Sequence, residues 1–115
     1  PYGREALRAL QSAGLMDVVG TKLVYGESIA QATSFVYSGA AEAGISAKAA
    51  MLAPEMRGKA KWVEVDPRAY TPIAQSVVML KHGRDTHAKE AQIFYDFLFS
   101  PPARAIFARY GYRLP

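Results

Sequence analysis

The stretch Leu23-Val24-Tyr25-Gly26-Glu27-Ser28-Ile29-Ala30-Gln31-Ala32 decides how this chain is read. It predicts a short strand over 22–25, a tight turn, and a helix that begins at a capping serine. Ser28 is a favoured N-cap residue, because its hydroxyl accepts a hydrogen bond from an N–H two or three residues on. The amides that follow, beginning with Ile29, have no acceptor inside the helix and sit at the positive end of its dipole. Such an end suits an anion. The same residues would serve any α/β turn and helix cap, so the motif alone leaves both readings open. A second helix start is expected at Pro1-Tyr2-Gly3-Arg4, and the remaining chain reads as the scaffold that brings the two starts together.

Working outward, 115 residues suffice for one small domain or one lobe of a larger protein, and half of them are hydrophobic. No apolar run approaches the ~20 residues of a membrane helix, so membrane insertion is not expected. The net charge is +4, with lysines and arginines scattered. Without a basic stripe interleaved with aromatics, nucleic acid is not an expected partner. There is no cysteine, hence no disulfide framework and no Cys-based zinc site; this fits an oxidising compartment. The chain opens on Pro1 rather than an initiator Met and shows no targeting segment, so it is expected to be part of a longer protein.

The pattern upstream of the opening stretch predicts a helix over 1–13. Its core face is Ala6, Leu7, Leu10 and Ala13, and Arg4, Glu5, Arg8 and Gln11 face water. Gly14 stops it, and Leu15–Val19 adds a helical turn. The helix from Ser28 runs to about Ser38, with Ile29, Ala32, Phe35 and Val36 inward and Gly39 ending it. Residues 43–46 form a brief strand, 47–52 a short helix and 54–61 a charged loop. Strands are expected over 62–65 and, as a long crossing strand, over 73–80. A helix follows over about 86–99, with Ala91, Phe94, Phe97 and Leu98 inward. Ser100-Pro101-Pro102 starts the last helix, with a capping serine and proline at the first helical position, and Gly111 stops it. Alternating strands and helices argue an α/β fold with a largely parallel sheet. In such sheets ligands sit beyond the carboxyl ends of strands, where helices begin.

Little in the chain points to catalysis. His82, Asp85 and His87 lie in a polar stretch with no further ligand nearby, which reads as exposed loop rather than a metal site. Tyr37-Ser38-Gly39 falls at a helix end, not in a nucleophile elbow. There is no dinucleotide fingerprint and no phosphate loop, and the carboxylates are dispersed. Lys48 reads as a solvated helix residue, and Tyr25, Tyr37 and Tyr110 as partly buried packing. An enzyme is therefore not expected.

Several blocks together resemble the second half of the periplasmic molybdate-binding proteins of ABC transporters. They are Pro1-Tyr2-Gly3-Arg4-Glu5-Ala6-Leu7, Lys22 through Ala32, Ala41-Glu42-Ala43-Gly44-Ile45-Ser46-Ala47, Phe94-Tyr95-Asp96-Phe97-Leu98 with Ser100-Pro101, and Arg109-Tyr110-Gly111-Tyr112. The likeness spans essentially the whole chain, and the Tyr2-Gly3 and Gly26–Ala32 blocks are its most specific parts. It implies an incomplete type II periplasmic binding fold. Residues 1–72 would supply most of the second α/β lobe. Residues 73–115 would supply the crossing strand and the C-terminal helices that pack on the first lobe. It also implies a molybdate or tungstate oxyanion held by the backbone amides of Tyr2 and Ile29, with no side-chain metal coordination and no cofactor. A tyrosine hydroxyl used by some members falls at Ala47 here. The partner would be a membrane permease and the compartment the periplasm. A sulfate, thiosulfate or other oxyanion receptor, or the effector-sensing domain of a transcription regulator, are the alternatives the same resemblance allows.

Overall fold

In a computed structural model, which describes residues 1–114, the chain divides into two units, Pro1–Ile73 and a second that begins at Ala74. The first unit opens with α1 (Tyr2–Ser12) and α2 (Met16–Val19), and a 3-10 turn follows at Gly20–Lys22. It continues with α3 (Ile29–Tyr37) and α4 (Lys48–Leu52), then 3-10 turns at Pro54–Met56 and Pro67–Ala69.

Helix α1 ends where the glycine permits. Gly14 takes a positive φ of 68°, its N–H bonds to Gln11 O at 3.0 Å, and the N–H of Leu15 bonds to Leu10 O at 2.9 Å. This is a Schellman closure, and only glycine adopts that φ without a Cβ penalty. The face that α1 buries differs from the expected one. Glu5 and Ala9, one turn apart, are the buried residues; Ala6, Leu7 and Leu10 are half-buried and Ala13 is exposed. Glu5 was expected to face water, and its burial has a polar cause, described below.

Among the described residues there is no strand, so the expected α/β sheet is not observed. Residues 23–26, 43–46, 61–65 and 73–80 run without regular structure. The physical reason is that a strand exists only through a neighbour to ladder with, and these segments find none. The segment 43–46 packs instead on α3: a Cβ on Gly44 would lie 2.7 Å from Val36 Cγ2.

The second unit holds α5 (Lys81–Thr86), α6 (Ala88–Leu98) and α7 (Pro101–Arg109). The polar stretch around His82 and His87, expected as loop, is largely the short helix α5. Ser100 precedes α7 with Pro101 at the first position, but its hydroxyl does not cap. It donates to Phe97 O at 2.6 Å, closing the turn behind it rather than the helix ahead. The end of α7 repeats the Schellman pattern. Gly111 has φ 79°, the N–H of Tyr112 bonds to Phe107 O at 3.0 Å, and the Phe107 and Tyr112 rings meet edge-on at 5.9 Å.

Neither unit builds a thick core. Among the described residues only Ala9 and Ala103 are buried apolar residues, and no large side chain is fully enclosed. Phe94 and Phe97, expected inward, are exposed at 62% and 44%. Three short helices offer no further layer to cover that face.

Candidate functional site

The start of α3 is a self-contained device. Ser28 is extended (φ −146°, ψ 163°), and its Oγ accepts from the N–H of Gln31 at 3.1 Å. The Gln31 side chain reaches back, and its Oε1 accepts from the N–H of Glu27 at 2.6 Å. This is a capping box displaced by one residue, since the returning acceptor takes the amide before the cap rather than that of the cap itself. The first amide with a helical acceptor is that of Ala32, bonded to Ser28 O at 3.0 Å. The N–H groups of Ile29 and Ala30 therefore have no acceptor within the helix.

Gly26 is required by this arrangement. A Cβ there would meet Ala32 N at 2.7 Å and Ser28 O at 3.1 Å, both backbone atoms. The chain folds back onto the first turn so closely that only glycine fits.

Behind the start lies a hydroxyl pair. Thr33 Oγ1 donates to Ile29 O at 2.8 Å and stands 2.7 Å from Ser46 Oγ. With its only proton committed to Ile29, Thr33 must accept from Ser46. The pair fixes the segment before α4 to the peptide plane that Ile29 shares with Ala30. Ala47, the position of the expected tyrosine hydroxyl, is the N-cap of α4 and adds no side-chain bond.

The start of α1 is built differently. Pro1 is its N-cap and offers no side-chain bond. The turn closes through the N–H of Glu5, bonded to Pro1 O at 3.1 Å. The Glu5 carboxylate is then anchored far along the chain: the N–H of Thr71 donates to its Oε2 at 2.8 Å. Arg4 Nε donates to Oε1 at 3.2 Å, and Arg8 Nη1 approaches Oε2 at 3.5 Å while also bonding Thr71 Oγ1. The Glu5 side chain is only 5% exposed, whereas that of Arg4 is 73% exposed. The Thr71 N–H is the main influence holding the Glu5 carboxyl below the usual carboxylate range. Burial pushes it up, and the Arg4 bond with the charges of Arg8 and Arg4 reinforces the downward shift.

The two residues singled out from the sequence thus stand at helix starts within one unit. Tyr2 is the first residue of α1 and Ile29 the first of α3, and both are half-buried. Other candidates fall away. Among the described residues no cluster of three His, Asp or Glu could hold a metal ion. His82 and Asp85 belong to α5 and His87 follows it, with Asp85 beside Arg84 at 3.5 Å. Lys48, read as merely solvated, pairs with Glu64 at 2.8 Å. Tyr25 and Tyr37 are exposed rather than packed. An open depression of about 430 Å³, lined by Ser12, Ala13, Asp66, Arg68 and Ala69, lies at the far end of α1 from Tyr2. Within it, the Arg68 side chain and N–H hold the Asp66 carboxyl below its ordinary range.

A family model described as bacterial extracellular solute-binding protein matches residues 1–113. The chain belongs to that family. It is 38% identical over 112 residues to the molybdate-binding protein ModA of Rhodobacter capsulatus, covering 97% of this chain and 42% of the relative. It is 39% identical over 115 residues to ModA of Azotobacter vinelandii, covering 99% of this chain and 44% of the relative. The chain therefore spans less than half the length of these curated relatives. No solved structure gives a significant match. Among the described residues no helix is long and apolar enough to cross a membrane.

Sequence reasoning missed Glu5, Thr71, Thr33 and Ser46. Thr33 carried a usable signal, being a hydroxyl four residues after Ile29 on a helix. Glu5 and Thr71 carried none, because nothing local links them.

Proposed function

We propose that this chain is part of the solute-binding component of a molybdate ABC transporter, binding molybdate or tungstate through the backbone amides of Tyr2 and Ile29. On this reading it is a receptor without catalytic activity. It works in the periplasm and delivers its ligand to a membrane permease. Residues 1–72 would belong to the second α/β lobe of a type II binding protein. Residues 73–115 would be the crossing strand and the helices that cover the first lobe. The exposed apolar face of α6 supports the second half of this division.

The observation that carries the proposal is the similarity to two molybdate-binding proteins along 97% and 99% of the chain. The geometry supports it in a specific way. At the start of α3 the amides of Ile29 and Ala30 have no acceptor within a capped helical turn, and the donors on offer are N–H groups rather than cationic side chains. Such donors have fixed direction and no proton to give up, so they favour a fully ionised tetrahedral dianion. A hydrogen-bearing anion would turn an O–H toward an N–H and leave donors unsatisfied, at roughly 1–3 kcal/mol each. That the two helix starts converge on one anion is part of the proposal.

Titration calorimetry on the intact protein tests it. Molybdate and tungstate should bind tightly, and hydrogenphosphate should bind at least about tenfold more weakly. Absence of molybdate binding, or binding that hydrogenphosphate matches, would overturn the reading.

A further inference from the structure

We draw no further inference here: the strongest candidate, the exposed apolar face of α6 formed by Ile93, Phe94 and Phe97, carries nothing beyond the packing on the first lobe already proposed, because nothing in the structure shows what covers it.

Discussion

The start of α3 is fastened by residues within one turn of it, whereas the start of α1 is fastened from 66 residues further along the chain. At α3 a hydroxyl and an amide side chain, Ser28 and Gln31, do the holding. At α1 a carboxylate does it, and the donor belongs to the backbone of a different segment. Both arrangements answer the same need, since the first amides of any helix lack helical acceptors. One answer is written locally and survives as long as its own turn survives. The other depends on the first unit being assembled.

The sharpest way to break the comparison is to remove one donor from the better-built start. Ile29→Pro deletes an amide without changing charge. Proline suits the first helical position, and Ser28 already has the extended backbone a residue before proline requires. The turn should therefore persist while the donor is lost. If the Ile29 amide grips a dianion, affinity should fall by roughly 10- to 150-fold, the equivalent of one charge-assisted bond at about 1.5–3 kcal/mol. Unchanged affinity by calorimetry, with an unchanged melting temperature, would take Ile29 out of the site.

Next in size is Gly26→Ala. The added methyl would meet backbone atoms at 2.7 and 3.1 Å, and neither can swing aside as a side-chain tip could. A cost of about 1–3 kcal/mol is expected, read as a lower urea midpoint. The corresponding start of α1 contains Gly3, where a Cβ would meet nothing within 4 Å. Gly3→Ala should therefore leave the midpoint nearly unmoved. Equal effects at the two glycines would show that the close approach at Gly26 is not what the turn depends on. Ser28→Ala comes third, at about 1 kcal/mol for a lost cap.

The same contrast explains what could be read in advance. Ser28 and the glycine stops at 14, 39 and 111 lie beside the elements they govern, so the sequence announces them. Glu5 looked like one of several charged residues on a wet face, because its partner is distant and is a peptide N–H that any residue carries. The strands failed for a related reason. Residues 62–65 and 73–80 have the composition of strands, but a ladder is a property of pairs. The helix over 81–86 was hidden by Gly83 and by polar residues with weak helical preference. It exists through backbone bonds such as His87 N to Gly83 O at 2.9 Å. The family likeness was legible because it rests on local blocks, and those blocks include both helix starts.

The smallest expected effect separates the two starts by acidity alone. Glu5 has a carboxyl held below its ordinary value by Thr71 and the two arginines. Its contribution is therefore complete at pH values above the unfolded-state value of about 4.3. It is lost as pH falls through the lowered folded-state value, because protonation then removes the charge that Thr71, Arg4 and Arg8 recognise. Ser28 and Gln31 have no proton to gain in that range. Acid titration followed by backbone chemical shifts should thus move residues 2–5 and 71 together, while residues 28–32 stay in place. Asp66 also titrates low, through its Arg68 partner, but it caps the turn at 67–69. The variant Asp66→Asn should leave the movement of residues 2–5 unaltered, and Glu5→Gln should abolish it. Loss of both helix starts at one pH would mean that the first unit opens as a whole and that the two fastenings are not independent.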